Sequence, residues 1–323
     1  MTKVVLAPSI GQKDVTEMRK AFASTLIELA KENKDIVVLD ADLAGAMGTK
    51  AFGKEFPDRF IDVGIQEQNM IGVACGMSVA GKIPFTHTFG PFATRRVADQ
   101  VFMSGVYNKA NVKVVGSDPG ITAALNGGTH MPFEDMGIMR LMPEMTILEP
   151  TDIVMLKNLL PQMVAKYGMM YMRLVRKDVV KVYDEGSEFE IGKMAELRDG
   201  SDVTLIASGY CVSEAQKAAE ILAAKGISAR VLDSFCWKPI DEEAIVKAAA
   251  DTGAIVTCEN HNVINGLGAA VAEVLVANKP VPVEMIGAQD EFGEVGPVSY
   301  LRERFHMTAE DIAAAAEKVI ARK

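Results

Sequence analysis

The stretch Asp14 to Glu32, D-V-T-E-M-R-K-A-F-A-S-T-L-I-E-L-A-K-E, is followed after Asn33-Lys34-Asp35 by Ile36-Val37-Val38-Leu39. In the first part, Met18, Phe22, Leu26 and Leu29 fall on one stripe of a helix. The second part is a short unbroken aliphatic run, as expected of a strand buried on both faces. The same alternation continues outward. Gln66 to Val79 reads as a helix rich in Gly and Ala, Phe85 to Thr88 as a strand, and Pro91 as the first turn of a helix running toward Tyr107. Val112 to Val115 is a strand, Thr151-Asp152 opens a helix reaching about Lys166, and Met170 to Leu174 is a strand. Arg176 to Asp202 is charged, with one weak extended stretch around Phe189, and reads as a linker. Alternation then resumes with strands at Val203–Ile206, Ala229–Leu232, Ala254–Cys258 and Val281–Ile286. Helices follow them at Ser213–Ala224, from Asp241, and at Gly266–Ala277. Thr308-x-x-Asp311 resembles a capping box and opens a last alanine-rich helix. Strand–helix alternation of this kind produces mostly parallel sheets covered by helices. The expected fold class is therefore α/β, with two doubly wound domains at 1–185 and 190–323. Two domains also suit 323 residues, at roughly 100–200 residues each.

Composition narrows the function. The chain is 49% hydrophobic and 24% charged, an ordinary globular balance. A net charge of -9, from 34 basic and 43 acidic residues, argues against nucleic acid as a partner, because phosphate contacts need a basic face. No run approaches the roughly 18 apolar residues of a membrane span, and the first residues lack the apolar core of a signal peptide. The expectation is a cytoplasmic protein with no membrane partner. Cys75, Cys211, Cys236 and Cys258 form no C-x-x-C pair and read as reduced thiols, not zinc ligands. The 19 methionines read as adaptable core residues. Gly266-Leu267-Gly268 lacks the third glycine of a dinucleotide fingerprint and reads as packing.

Ligands of doubly wound folds bind at the carboxyl ends of strands. That directs attention to Asp40–Gly48, Thr88–Phe92 and Gly116–Glu134. Three segments near those ends carry chemistry. In Asp62-Val63-Gly64-Ile65-Gln66-Glu67-Gln68-Asn69-Met70, an acid opens a helix of small and apolar residues. Alone, it is an acid favoured by the helix dipole. In Thr86-His87-Thr88-Phe89-Gly90-Pro91-Phe92, two phenyl rings three residues apart sit at a strand-to-helix junction, and alone they are core packing. In Leu125-Asn126-Gly127-Gly128-Thr129-His130-Met131-Pro132-Phe133-Glu134-Asp135, a glycine pair precedes a histidine on a close-approach loop.

The conjunction G-I-x-E-Q-N-M, T-F-x-x-F and G-x-T-H-x-x-x-E-D, in this order and spacing, resembles the transketolase family. The resemblance runs from about Asp14 to the C-terminus and includes Ser208-Gly209 and Glu259-Asn260-His261 in the second half. It implies a thiamine-diphosphate pyrimidine-binding domain followed by a transketolase C-terminal domain. It further implies transfer of a two-carbon ketol unit between sugar phosphates, with thiamine diphosphate and Mg2+ as cofactors. Glu67 corresponds to the acid that hydrogen-bonds the ring nitrogen of the cofactor's aminopyrimidine. A carboxyl there favours the imine form that takes the proton from the thiazolium ring, and burial among apolar residues is expected to favour the neutral acid. Phe89 and Phe92 match the aromatics against the pyrimidine, and Asp42 matches an acid near the cofactor. His130 matches a histidine that contacts sugar hydroxyls and moves protons. Arg19 and Arg176 match positions that grip sugar phosphate, as a planar guanidinium fork suits. Asn126, Asp118 and His87 complete the expected substrate contacts. Arg173 competes with Arg176 for its role, and Arg95 stands where relatives carry an aromatic.

Three positions depart from the familiar pattern. Asn126 replaces an aspartate, Asp118 a phosphate-binding histidine, and Ala46 a phosphate-binding serine. An aspartate facing phosphate repels it, so the resemblance implies a specialised, even branched, ketose phosphate. The Gly-Asp-Gly segment that holds Mg2+ and diphosphate in thiamine enzymes is missing from this sequence, and no residue here is expected to bind metal. The expected assembly is a split enzyme. A partner N-terminal subunit carries the diphosphate and Mg2+ site, and the complex is an α2β2 heterotetramer. The rival readings are the β subunit of a 2-oxo-acid dehydrogenase, a deoxyxylulose-phosphate-synthase-like enzyme, and a non-catalytic regulatory subunit. The Gly-x-Thr-His-x-x-x-Glu-Asp segment weighs against the first. Asp118 resembles the second, but Asn-Gly-Gly-Thr-His does not. A scaffold without catalysis has no need of Glu67, Phe89 and Phe92 together.

Overall fold

The computed structural model describes residues 2–177 and 179–323, so Asp178 in the expected linker and Met1 lie outside the described residues. The strands are Ile36–Asp40 (β1), Phe60–Asp62 (β2), Ile83–Phe89 (β3), Lys113–Ser117 (β4), Thr146–Leu148 (β5), Met170–Leu174 (β6), Ala195–Arg198 (β7), Val203–Ala207 (β8), Ala229–Asp233 (β9), Cys236–Lys238 (β10), Ile255–Asn262 (β11) and Val283–Ala288 (β12). They build one sheet of order β10-β5-β6-β4-β3-β1-β2 and a second of order β12-β11-β8-β9-β7. Every pairing is parallel except β10 on β5 and β7 on β9.

The opening stretch forms a helix over Met18–Glu32 and the fully buried β1. Met18, Phe22 and Leu26 are buried, and Leu29 packs at the margin of the same core. Phe22 and Leu26 join Leu156, Leu159 and Leu160 of the helix Ile153–Ala165, so two amphipathic helices seal one face of the first sheet. Thr308 caps the last helix as expected: its hydroxyl accepts from the Asp311 N–H, and the Asp311 carboxylate accepts from the Thr308 N–H.

Two expectations are corrected. The helix from Pro91 to Tyr107 is broken into short pieces ending in a π-helix at Val101–Tyr107. Thr94 leaves helical geometry there, and its hydroxyl bonds the Gly90 carbonyl at 2.8 Å. The charged linker contains β7, an edge strand whose exposed positions explain its polarity. Its earlier part forms bridges with the N-terminus at Lys13–Val180, Leu6–Tyr183 and Lys3–Glu188. In addition, β10 from the second half of the chain completes the first sheet, so both halves contribute strands to it.

Candidate active site

The central strands β6, β4, β3 and β1 lie side by side and parallel, so their carboxyl ends emerge together. Those ends deliver Arg176, Asp118, Phe89 and Asp42. The turn after β1 is pinned by buried Asp40, whose carboxylate accepts from the Thr49 hydroxyl at 2.7 Å and the Leu43 N–H at 2.6 Å. Asp42 and Asp118 both take left-handed backbone angles, φ 61° and 59°, where the chain swings sharply off its strand. Asp42 is exposed, and its N–H donates to Asp62 at 3.0 Å.

Glu67 begins the helix Glu67–Val79 on the same edge, and only 2% of it is exposed. Its surroundings are not purely apolar, as the sequence suggested. Arg96 Nη1 donates to Glu67 Oε1 at 2.7 Å, and the same guanidinium lies 3.7 Å over the Phe92 ring. Phe89 and Phe92 meet edge to face at 6.0 Å, and the half-buried His130 ring stands edge-on to both, at 5.3 and 5.2 Å. Arg95 ties this loop down, donating to Glu134 at 2.8 Å and to the Thr129 carbonyl at 2.9 Å. Burial pushes the Glu134 carboxyl above the usual range. Pro91, Phe92, Arg95, Arg96, Thr129 and His130 line a cavity of about 590 Å3. A nearly buried carboxyl joined through Arg96 to a pair of packed phenyl rings fits the aminopyrimidine end of thiamine diphosphate: an acid for the ring nitrogen and flat apolar surfaces for the ring.

The expected substrate residues gather beside this cluster, with one exception. Arg176 Nε donates to both Asp118 oxygens, at 3.1 and 2.8 Å, and Asn126 Nδ2 reaches Asp118 at 3.4 Å. Asp118 therefore does not confront a ligand as a lone charge: Arg176 neutralises it. Burial is the main influence on its carboxyl and raises its pKa, against the pull of Arg176. The Arg19 N–H donates to the Arg176 carbonyl at 3.2 Å, so the two arginines are neighbours. A cavity of about 420 Å3 between the two domains includes Arg176 and Asn126 in its lining. His87 is the exception. It is fully buried, edge-on to Phe22 at 5.1 Å, with neither ring nitrogen hydrogen-bonded, and burial lowers its pKa to about 3. It is a core residue here, not a substrate contact.

Arg173 does not compete with Arg176. It is fully buried and holds the two domains together. Nε donates to Asp135 at 3.0 Å, Nη1 to Glu149 at 3.2 Å, and Nη2 to the carbonyls of Pro132 and Asn260 at 3.2 and 2.7 Å. Glu259-Asn260-His261, which the sequence brought in only through the family resemblance, turns out to clamp the site loops. Asn260 accepts from the Ile121 N–H at 2.8 Å and donates to the Pro119 carbonyl at 2.9 Å. His261 Nε2 accepts from the Gly137 N–H at 3.2 Å, and burial lowers its pKa to about 4, which keeps it neutral for that acceptor role. The Glu259 carboxyl oxygens cap the helix Leu267–Asn278 by accepting from the Leu267 and Gly268 N–H groups, at 2.7 and 2.9 Å. Among the described residues, no group of three or more His, Cys, Asp or Glu is placed to hold a metal ion, and no helix is long and apolar enough to cross a membrane.

Comparison with known proteins finds two family domains in succession. The family described as transketolase, pyrimidine binding domain, matches residues 14–181, and transketolase, C-terminal domain, matches 192–312. A 6-deoxy-6-sulfo-D-fructose transketolase subunit of Clostridium sp. (strain MSTE9) is 52% identical over 95% of this chain and 95% of its own length. An apulose-4-phosphate transketolase subunit of Phocaeicola vulgatus is 40% identical over 84% of this chain and 88% of its own. A solved structure described as a split gene transketolase, inactive beta4 tetramer, superposes with a TM-score of 0.89 at 42% identity, covering 94% of this chain and 98% of that one.

Proposed function

The chain belongs to the transketolase family, and from that premise we propose that it is the pyrimidine-binding, C-terminal subunit of a two-chain thiamine-diphosphate transketolase. Its substrate is a specialised ketose whose far end carries an anionic group. The observation that carries this reading is the cluster of Phe89, Phe92 and His130, joined to Glu67 through Arg96 on one side and to Arg176, 5.5 Å from the Phe89 ring, on the other. When bound, thiamine diphosphate supplies the nucleophilic carbon that holds the two-carbon unit between donor and acceptor. Glu67 hydrogen-bonds the pyrimidine ring nitrogen, and Arg96 fixes the carboxylate from the other side. Phe89 and Phe92 pack the ring and exclude water, which strengthens the Glu67 contact. His130, oriented by the Thr129 hydroxyl at 2.9 Å from Nδ1, faces the sugar and moves protons at its hydroxyls. Asp42 stands near the cofactor, and Asn126 reads a sugar hydroxyl.

Mg2+ and the diphosphate are held by a partner subunit, in a heterotetramer of two copies of each chain. The β4 assembly named for the solved relative is inactive, which suits a chain that needs another for activity. The names of the two relatives point to unusual ketoses rather than common pentose phosphates, and the sulfo-ketose of the more similar one is the first candidate. The test is a co-purified pair screened with that sulfo-ketose, fructose 6-phosphate and xylulose 5-phosphate, with Glu67→Gln in parallel. Glu67→Gln should cut turnover at least about a hundredfold without loss of folding. Unchanged turnover would exclude Glu67 as the cofactor acid, and efficient use of common pentose phosphates would exclude the specialised substrate.

A further inference from the structure

Each anion-gripping arginine in this chain carries its own carboxylate. Arg19 donates through Nε and Nη2 to Glu17 Oε2, at 3.0 and 2.9 Å, and through Nη1 to the Ala46 carbonyl at 2.7 Å. Three of its five N–H groups are thus spent on the protein. Arg176 is held through Nε by Asp118, which is 2% exposed and also receives Asn126. The main-chain N–H of Arg19 on the Arg176 carbonyl sets the two residues side by side, and the Arg19 charge is felt at Asp118. Two cations and two anions sum to zero. Lys13 and Lys177 line the adjoining cavity and add the net attraction an anion needs. Asp118, bound to the cavity residues Arg176 and Asn126, and Glu17, bound to Arg19, limit how much negative charge can be added.

A phosphate monoester carries about -1.5 to -2 charges at neutral pH, its second pKa being about 6. A sulfonate has the same tetrahedral oxygens and a single charge. Seating the second charge beside two carboxylates in a half-buried site is repulsive, and the penalty grows as the local dielectric falls.

We propose that Glu17 and Asp118 are specificity-determining residues that tune the anion subsite for a singly charged terminal group, a sulfonate, over a phosphate dianion. This rests on the transketolase reading above. The test uses the complex of this chain with its partner and two donors that differ only at C6, 6-deoxy-6-sulfofructose and fructose 6-phosphate. Wild type should favour the sulfonate in kcat/KM by about tenfold or more, the scale of one unit charge beside a partly screened carboxylate. Asp118→Asn and Glu17→Gln, both near-isosteric, should each move that ratio toward phosphate by about tenfold. Thermal protection of the complex by each ketose should shift in the same sense. A preference for phosphate in wild type, or a ratio unmoved by both variants, overturns the inference and leaves the transketolase assignment standing. Turnover of neither ketose overturns both.

Discussion

Replacing Arg173 by methionine tests how the two domains hold the site. The side chain is wholly buried and makes two ion pairs, at 3.0 Å to Asp135 and 3.2 Å to Glu149, plus bonds to two main-chain carbonyls. Methionine fills much of the volume but leaves two buried carboxylates without their cation. Asp135 keeps only the Tyr171 hydroxyl at 2.7 Å, and Glu149 keeps the Ser208 hydroxyl. Breaking a buried pair by removing one partner costs about 3–5 kcal/mol. For a chain of this size that corresponds to a melting temperature lower by about 5–10 °C. The assay is thermal unfolding followed by circular dichroism, beside KM for the donor ketose. KM should rise, because the Pro132 and Asn260 carbonyls lie at the two ends of the contact that seats the His130 loop. A triple variant, Arg173→Met with Asp135→Asn and Glu149→Gln, should recover much of the loss, since it removes the orphaned charges. If Arg173→Met melts within about 1 °C of wild type, or the triple variant is the least stable, the buried charges do not set the strength of this junction.

Arg96→Ala should lower turnover by about tenfold while leaving melting within about 1 kcal/mol of wild type, because the guanidinium is partly exposed and its cation–π and ion-pair contacts are individually modest. Steady-state kinetics of the complex and a melt check both halves; full activity would mean that Glu67 needs no such anchor. Gly120→Ala should destabilise the chain by at least about 2 kcal/mol in denaturant unfolding. Gly120 has φ +45°, and a methyl there would collide with the Asn260 side chain and carbonyl. Burial raises Asp233 to a pKa of about 8 and Glu259 to about 8, far above the ordinary carboxyl values of an unfolded chain. Between those values the folded chain keeps protons that the unfolded chain releases, so stability should fall as pH rises from about 5 toward 8 and level off above it. Asp233→Asn should flatten that slope in urea titrations at successive pH values; an unchanged slope would place the ionisation elsewhere.

The parallel core is legible because its strands are unbroken aliphatic runs between amphipathic helices, and Met170–Leu174 has the bounds the sequence suggests. Two strands are hidden for physical reasons. The three residues of β10 are too few to show a period, and they pair with the first sheet from far along the chain. The polar positions of β7 resemble a linker because it is an edge strand with one solvated side. In the site, Glu67, Phe89, Phe92 and His130 stand out only as a conjunction. Arg96 carries no signal of its own, since its partner Glu67 lies 29 positions away and only the fold joins them. Asp118 looks like a repulsive charge in the sequence because Arg176, 58 positions on, is joined to it only by the neighbouring ends of β4 and β6.

These pairings divide the labour between the domains. In the proposed reading, the first domain supplies the side chains for cofactor and sugar, from Glu67, Phe89 and Phe92 to Arg176. The second supplies Asn260 and His261, which touch the backbone of residues 119–121 and 137. Between those anchors, Gly120–Asn126 makes only a short 3-10 stretch broken at Ala124, with φ 49°. Such a segment has too few hydrogen bonds of its own to hold Asn126 and His130 in place against the entropy of a loop. Its order must come from outside: Asn260 at one end, Arg95 on Thr129, and Arg173 on Pro132. Substitutions at Asn260 or His261 therefore act on the site by loosening this loop, and their signature is a weaker grip on sugar with the Glu67 end of the site intact.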